Sequence, residues 1–544
     1  MSRMLRTLVV YRRTSSVQPD DARKPTAAPS ATRWASAGPV LALAGGLLTS
    51  AAFRPAGLAV LGFSGMVAGT WALRRARGWR AGALVGFLYG VGLFGSLLVW
   101  SLRFGIPAYA ALAGSQALFS AIPGALAGSA SRGRLAWVTV TAGSWTLAEA
   151  ARARWPLGGF EWGQLAQSAV DLPVRAAAAV IGSVGLSGLL VAVAAAVVVA
   201  TERGRPSRRL APLAVVATLL AGMTGLGLLP WTAPSGTLEV AIVQVDPPCP
   251  GRTAVDCPGE QEANLEQFIR SSATLPDSVD LLLWGEGALS GRSPADAGQE
   301  VVDRMGALPA PLLAGVTSPT GPDGFFNRNV LYDLQGRMLD SYTKRHAVPF
   351  GEYVPARNVL GGIGDVGRLV PRDMVRGTEP GRLAASSGPV GTVSSWELSF
   401  SRDVRDAAAG SHAVVTLTTQ ATYERAQVSD QLLAIARLRA AELGKPMVIA
   451  ATTGRSALLP AGGGDGPATR LFGSDRLIGS VTLTTGRTPF AVFGQALPVL
   501  LAVAVTGGAV LGSRDCEATT RLRGIRLHRP VRLRLATRSS AHRR

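Results

Sequence analysis

Residues 174–201 read VRAAAAVIGSVGLSGLLVAVAAAVVVAT, a continuous apolar run whose one charge, Arg175, sits at its edge. A helix needs ~20 predominantly apolar residues to cross the hydrocarbon core of a bilayer, so this stretch predicts a membrane span. Similar runs lie near 38–53, 56–73, 81–101, 107–128, 135–151 and 209–229, and a last one near 497–513. The expectation is therefore a multi-pass α-helical bundle of about eight spans. The first run is not read as a cleaved signal peptide, because six more follow before any polar region. Composition agrees: of 544 residues 47% are hydrophobic and only 17% are charged, against about a quarter in an ordinary soluble domain. The mean hydropathy is +0.25.

The net charge of +20 invites a nucleic-acid reading, which its distribution excludes. The basic residues gather at the two ends and in short loops, without the interleaved aromatics of a strand-binding surface. The N-terminal segment holds Arg3, Arg6, Arg12, Arg13, Arg23, Lys24 and Arg33, and residues 514–544 are dense in arginine. Arg74, Arg75, Arg77 and Arg80, then Arg132 and Arg134, then Arg203, Arg205, Arg208 and Arg209 mark every second loop; the loops between are poorer. Positively charged loops stay in the cytoplasm. The expected layout is a basic cytoplasmic segment (1–34), a seven-span membrane domain (35–230), an extracytoplasmic domain (231–496), a last span (497–513) and a cytoplasmic arginine-rich tail (514–544). That places the protein in the cell membrane with both termini cytoplasmic. Cys249, Cys257 and Cys516 lack metal-site spacing. The first two are close enough for a local disulfide in an oxidising compartment, and two free thiols fit equally well.

Beyond residue 231 the pattern changes. Leu238–Val245, Val279–Glu286, Pro311–Val316, Val330–Leu334, Val390–Val393, Ala413–Thr418 and Pro446–Ala451 read as strands, Glu260–Ser272 as a helix and Val428–Leu443 as an amphipathic helix. Strands alternating with helices predict an α/β layered domain. Three places in it carry candidate chemistry. Glu286 closes the apolar run VDLLLWGE, and strand ends are where such domains set reactive groups. Lys344 lies in YTKRHAVPFGEYVP; the other lysines are only Lys24 and Lys445 in a chain that otherwise uses arginine, which points to a need for a compact ammonium. Glu352, eight residues on, is placed to pair with it. Ser395, Trp396 and Glu397 follow the apolar strand ending at Val393 and offer a hydroxyl in a tight turn beside a carboxylate. His346 and His412 form no Ser-His-Asp arrangement and read as structural.

These residues together resemble the apolipoprotein N-acyltransferase family, a membrane branch of the nitrilase (carbon–nitrogen hydrolase) superfamily. The resemblance runs from about residue 38 to 513. It rests on Phe160-Glu161-Trp162, Phe325-Phe326-Asn327, Tyr342 to Pro355, Ala436 to Glu442, Thr452 to Ser456 and Thr488-Pro489-Phe490. It implies a nitrilase-like αββα sandwich beside the bundle and acyl transfer through an acyl-enzyme. The donor is a membrane phospholipid and the acceptor the amino group of a lipoprotein's diacylglyceryl-cysteine, with no cofactor and no metal. Glu286 takes the position of the general base, Lys344 that of the oxyanion stabiliser, and Glu352, Asn327, Trp396 and Glu397 support them. The family's nucleophilic cysteine falls on Ser395. A thiol ionises near pH ~8.5 and lower beside a cation, whereas a serine hydroxyl needs a well-matched base. The family's Asn-Asp-Ala-Trp-Phe stretch reads Thr419-Gln420-Ala421-Thr422-Tyr423, and Gly285 precedes Glu286. Two expectations follow: an acyltransferase working through Ser395, or a catalytically impaired paralogue that binds lipid or lipoprotein or assists an active partner. A soluble amide hydrolase would have no use for eight spans.

Overall fold

The computed structural model describes residues 30–130, 133–246, 259–362, 366–386, 388–423, 427–471 and 473–509. Cys249, Cys257, Cys516, the basic N-terminal residues up to 29 and the arginine-rich tail lie outside them. Seven helices come first: α1 (Ser30–Ser50), α2 (Ala59–Arg75), α3 (Trp79–Leu97), α4 (Ile106–Ser129), α5 (Arg134–Arg152), α6 (Ala178–Ala200) and α7 (Pro206–Gly227). Four are long and apolar enough to cross a membrane: α3, α4, α7, and α6 with its lead-in from Pro173. Residues 37–50 and 496–509 form shorter apolar helices. Small residues bring α3 and α4 together. A Cβ on Gly86 would fall 3.1 Å from Gly124 Cα, and one on Gly128 2.9 Å from Gly82 Cα. In an apolar solvent this backbone proximity, rather than hydrophobic exclusion, drives helix association.

The second half builds two sheets. The first is seven-stranded, in the order β12-β1-β2-β3-β4-β5, with β6 added on β4. Its members are β1 (Thr232–Gln244), β2 (Leu281–Ser290), β3 (Leu312–Thr320), β4 (Gly324–Tyr332), β5 (Met338–Thr343), β6 (Asp373–Met374) and β12 (Asp475–Gly486). The second is five-stranded, β11-β10-β9-β8-β7, from β7 (Arg382–Ala385), β8 (Gly388–Ser394), β9 (Ala413–Thr418), β10 (Met447–Ala451) and β11 (Ala457–Leu459). Strand side chains alternate between faces. Val240, Ile242, Leu281 and Leu283 accordingly meet Val415, Leu417, Val448 and Ala450 in a core between the sheets. Ala241, Val243, Leu282 and Trp284 point the other way, onto α8 (Glu260–Ser272) and α9 (Pro294–Met305). The outer face of the second sheet is covered by the helices Ser401–Ala408 and Val428–Leu443. The result is a helix–sheet–sheet–helix sandwich.

Two sequence expectations need correction. The 428–443 helix is not amphipathic in place: nearly every residue is buried, because its second face packs on α6 instead of on water. Strand β2 does not stop at Glu286 but continues to Ser290, with its pairing to β3 interrupted between Trp284 and Leu289. Glu286 sits in that irregularity, which frees its side chain from the ladder.

The contact between the 428–443 helix and the apolar helices contains ions. Arg439 has no exposed surface. Its guanidinium meets Glu161 Oε2 at 3.0 Å and Glu442 Oε2 at 2.5 Å, and donates to the Ser399 carbonyl at 2.6 Å. Glu442 Oε1 accepts from the Ser183 backbone N–H of α6 at 2.6 Å. Nearby, Arg437 joins Asp171 at 2.6 Å, and Asp171 also holds Arg54 in the loop between α1 and α2 at 2.6 Å. Replacing Arg439 by Met would strand two carboxylates in an apolar interface. Breaking such a buried set by removing one partner costs about 3–5 kcal/mol. Arg439→Met is thus expected to lower the apparent Tm of the detergent-solubilised protein by several degrees, and an unchanged Tm would show that the carboxylates find other compensation.

Candidate active site

The site residues expected from sequence converge on the C-terminal ends of β2, β5, β8 and β9. Glu286 is 7% exposed and Lys344 1%. The Lys344 ammonium lies 3.1 Å from Glu286 Oε1 and 2.8 Å from Glu352 Oε1, so the expected Glu352 pairing is present. Asn327 Nδ2 donates to the same two oxygens, at 2.7 Å to Glu286 and 3.3 Å to Glu352. Glu286 Oε2 accepts from the Thr419 backbone N–H at 3.2 Å. Burial alone would lower the affinity of Lys344 for its proton. The charges of Glu286 and Glu352 outweigh that and hold it above the ordinary lysine value, so it remains an ammonium.

Gly285 is explained by the fold. A Cβ there would collide with the Thr452 backbone nitrogen, which in turn donates to the Thr418 carbonyl. The close passage of β10 past β2 leaves no room for a side chain just before Glu286.

Ser395 opens the short 3-10 helix Ser395–Ser399 that follows β8. Its φ is 48°, a left-handed conformation rare for a residue with a Cβ. Such a strand-to-helix turn costs of order 1–3 kcal/mol and occurs where a side chain must be presented. The Ser395 hydroxyl lies 3.1 Å from Thr418 Oγ1. Thr418 touches Ser395 while its neighbour Thr419 touches Glu286, so the hydroxyl and the carboxylate flank the same end of β9.

Glu397 ties the two halves of the site together. Its Oε1 accepts from Tyr342 Oη at 2.7 Å, Arg345 N at 2.7 Å and His346 N at 2.9 Å, and its Oε2 from Ser394 N at 2.8 Å. One carboxylate thereby fixes the Lys344 loop against the Ser395 turn. Burial, reinforced by Asp403, pushes its pKa above the ordinary carboxylate value, while Lys344 and the donated hydrogen bonds oppose the rise. His346 Nδ1 lies 3.1 Å from Asp403 and its ring is stacked on Phe400.

Sequence reasoning missed an aromatic wall joining this site to the apolar helices. Trp396 stacks on Trp162 at 5.9 Å and contacts Phe160 at 5.6 Å. Trp100 and Phe104, in the turn after α3, meet Tyr423 edge-on at 5.3 and 5.9 Å. Burial and the neighbouring Glu286 push the Tyr423 hydroxyl up to about 12. The altered 419–423 segment is therefore built into the site: Thr419 serves Glu286, Gln420 accepts from Ser429, and Tyr423 faces the helices. Two tryptophans and a tyrosine at helix ends were the available signal. Among the described residues no cluster of His, Cys, Asp and Glu is arranged to hold a metal ion.

Glu397→Gln puts an NH2 group against several donors while keeping volume. Leaving buried donors unsatisfied costs about 1–3 kcal/mol each. The variant should melt several degrees below wild type, whereas Glu397→Asp, which keeps the acceptors, should fall between them. Equal melting of all three proteins would remove Glu397 from its clamping position.

The apolipoprotein N-acyltransferase N-terminal domain family matches residues 45–196, and the carbon–nitrogen hydrolase family residues 239–470. The apolipoprotein N-acyltransferase of Pseudomonas putida is 30% identical over 516 residues, 89% of this chain and 98% of that protein. That of Methylococcus capsulatus is 28% identical over 504 residues, 86% and 95% of the two chains. Among solved structures, Nit3 of Saccharomyces cerevisiae, a nitrilase-superfamily member, is 13% identical with a TM-score of 0.34, over 49% of this chain and 96% of its own. With both halves matched in order and a relative aligned over nearly its whole length, this chain belongs to the apolipoprotein N-acyltransferase family.

Proposed function

We propose that the protein transfers an acyl chain from a membrane phospholipid to the amino group of a lipoprotein's diacylglyceryl-cysteine, with Ser395 as the attacking atom. In this reading the helices α1–α7 and the 496–509 helix all cross the membrane, both termini are cytoplasmic, and the sandwich stands on the outer side where lipoprotein amino groups are found. The observation that carries the proposal is the buried Glu286–Lys344–Glu352 cluster beside the strained Ser395 turn, at the junction with the apolar helices.

The chemistry balances as two displacements. The Ser395 Oγ bonds to the carbonyl carbon of a phospholipid ester while its proton passes to Glu286. The carbonyl oxygen becomes an oxyanion beside Lys344, whose ammonium has three donors, two of them committed to Glu286 and Glu352. The third stabilises the new charge, the kind of interaction that strengthens in the transition state. Collapse breaks the bond to the lysophospholipid oxygen, which takes the proton from Glu286, and leaves an acyl ester on Ser395. The acceptor amine then attacks that ester and loses a proton to Glu286. The amide forms, and the departing Ser395 oxygen recovers the proton. The aromatic wall of Trp100, Trp162, Trp396 and Tyr423 supplies an apolar approach for the acyl chain.

A second reading has its own observation. The Ser395 hydroxyl is bonded to Thr418 Oγ1, and both Glu286 oxygens are already occupied by donors. A site so arranged favours lipid or lipoprotein binding without turnover, alone or beside an active paralogue. Acyl transfer to a diacylglyceryl peptide in lipid decides between them. Transfer by wild type that Ser395→Ala abolishes supports the first reading. Ser395→Cys should then be faster by about tenfold or more, because the thiolate forms far more readily. Transfer by Ser395→Cys with none by wild type makes this a chain with an intact scaffold and a silenced nucleophile, which is the second reading.

A further inference from the structure

A cleft of about 960 Å³ lies between the C-terminal end of α5, the segment from Phe490 to Val499, and the sandwich residues Arg345, Arg376, Phe400, Ser401, Arg402, Asp403 and Arg405. None of Glu286, Lys344 and Ser395 lines it. Its volume is at the upper end of the ~300–1,000 Å³ range of small-molecule sites. One part of its wall is apolar, with Leu147 and Ala151 on α5 facing Val499 and Phe493. The other part carries five arginines (Arg154, Arg345, Arg376, Arg402 and Arg405) and two carboxylates, Glu161 and Asp403.

The carboxylates are already engaged. Glu161 pairs with Arg439, and Asp403 with Arg345 at 3.1 Å and His346 at 3.1 Å. Most of the remaining guanidiniums lack a close counter-ion. Arg154 donates to the neutral Gln495 Oε1 at 3.1 Å, and the nearest carboxylate to Arg405 is Asp406 at 4.0 Å. Arg376 packs over the Tyr353 ring at 4.5 Å. Among the described residues Arg376 and Arg402 have no carboxylate in ion-pair reach. A cleft with an uncompensated cationic end and an apolar end complements an anion carrying an apolar tail.

We propose that this cleft binds an anionic phospholipid as a non-reacting second lipid site: the phosphate sits among Arg376, Arg402 and Arg405 and an acyl chain lies along Leu147, Ala151 and Val499. The proposal rests on the orientation given above, which puts this level of α5 at the outer membrane interface. The lipid would also touch Arg345 and His346, which directly follow Lys344 and are held by Glu397. Occupancy would therefore steady the loop that carries the ammonium.

Binding is measured on the full-length protein in detergent by native mass spectrometry, with phosphatidylglycerol, phosphatidylcholine and inorganic phosphate as probes, and acyl transfer is assayed separately. Wild type should bind phosphatidylglycerol well above phosphatidylcholine. Arg376→Gln/Arg402→Gln should weaken phosphatidylglycerol by about thirtyfold, the effect expected from two basic groups near a lipid surface. Val499→Asp should weaken it with the arginines intact. Equal binding of the two lipids, or no change in the double variant, overturns the proposal. Displacement of bound lipid by millimolar phosphate alone would also overturn it, since the apolar wall would then contribute nothing. Phosphatidylglycerol binding that persists when wild type shows no acyl transfer supports this site while removing the reading of function. Acyl transfer without selective binding does the reverse.

Discussion

Arg439 is enclosed on every side, and both halves of the molecule meet on its guanidinium. It holds Glu442 of its own helix, Glu161 from the loop between α5 and α6, and the Ser399 carbonyl just after the Ser395 turn. Glu442 carries the link on to the backbone of α6. Desolvating three ionised groups offsets most of their mutual attraction, so such a cluster adds little net stability. It does tie geometry, because Glu161, Glu442, the Ser399 carbonyl and the Ser183 N–H are all partnered in this placement of the 428–443 helix. The Ser395 turn, the stacked pair Trp162–Trp396 and the floor of the arginine-lined cleft are all positioned from that point.

The site uses the same device on a smaller scale. Glu397 gathers hydrogen bonds from two separate loops, and Lys344 stands between two carboxylates. Each of these groups is buried and therefore costly unless fully partnered. Their partners are consequently set by the whole fold. The aromatic wall is of another kind. Trp100, Trp162 and Tyr423 contribute apolar area with few hydrogen-bond demands, and they join the sandwich to the apolar helices by ring contacts.

Much of this was legible in the chain itself. The strands β1, β2, β9 and β10 announce themselves by apolar runs buried on both faces, and α8 and the 428–443 helix fall where periodicity puts them. Strands β5 and β12 escaped because their residues alternate with solvent or lie at sheet edges, as in DSYT and DRLIGSVT, where polar positions hide the pattern. Glu286, Lys344, Glu352, Asn327 and the Ser395–Glu397 turn were placed by motif, and the structure brings them together. The clamp made by Glu397 and the second face of the 428–443 helix were not visible, since each depends on a partner more than 50 positions distant in sequence. A helix read alone cannot show that a second helix replaces water on its polar side.

That double burial has a consequence for biogenesis. The 428–443 helix needs the second sheet on one face and α6 on the other, and its buried charges reach across to Glu161, Asp171 and the Ser183 backbone N–H in the N-terminal half. The sandwich is therefore not a detachable module. Released from residues 37–227, it would expose Arg439, Glu442 and an apolar flank together, an invitation to aggregation. The outer layer of the sandwich is closed only when the N-terminal helices are packed against it, so the two halves share one stability.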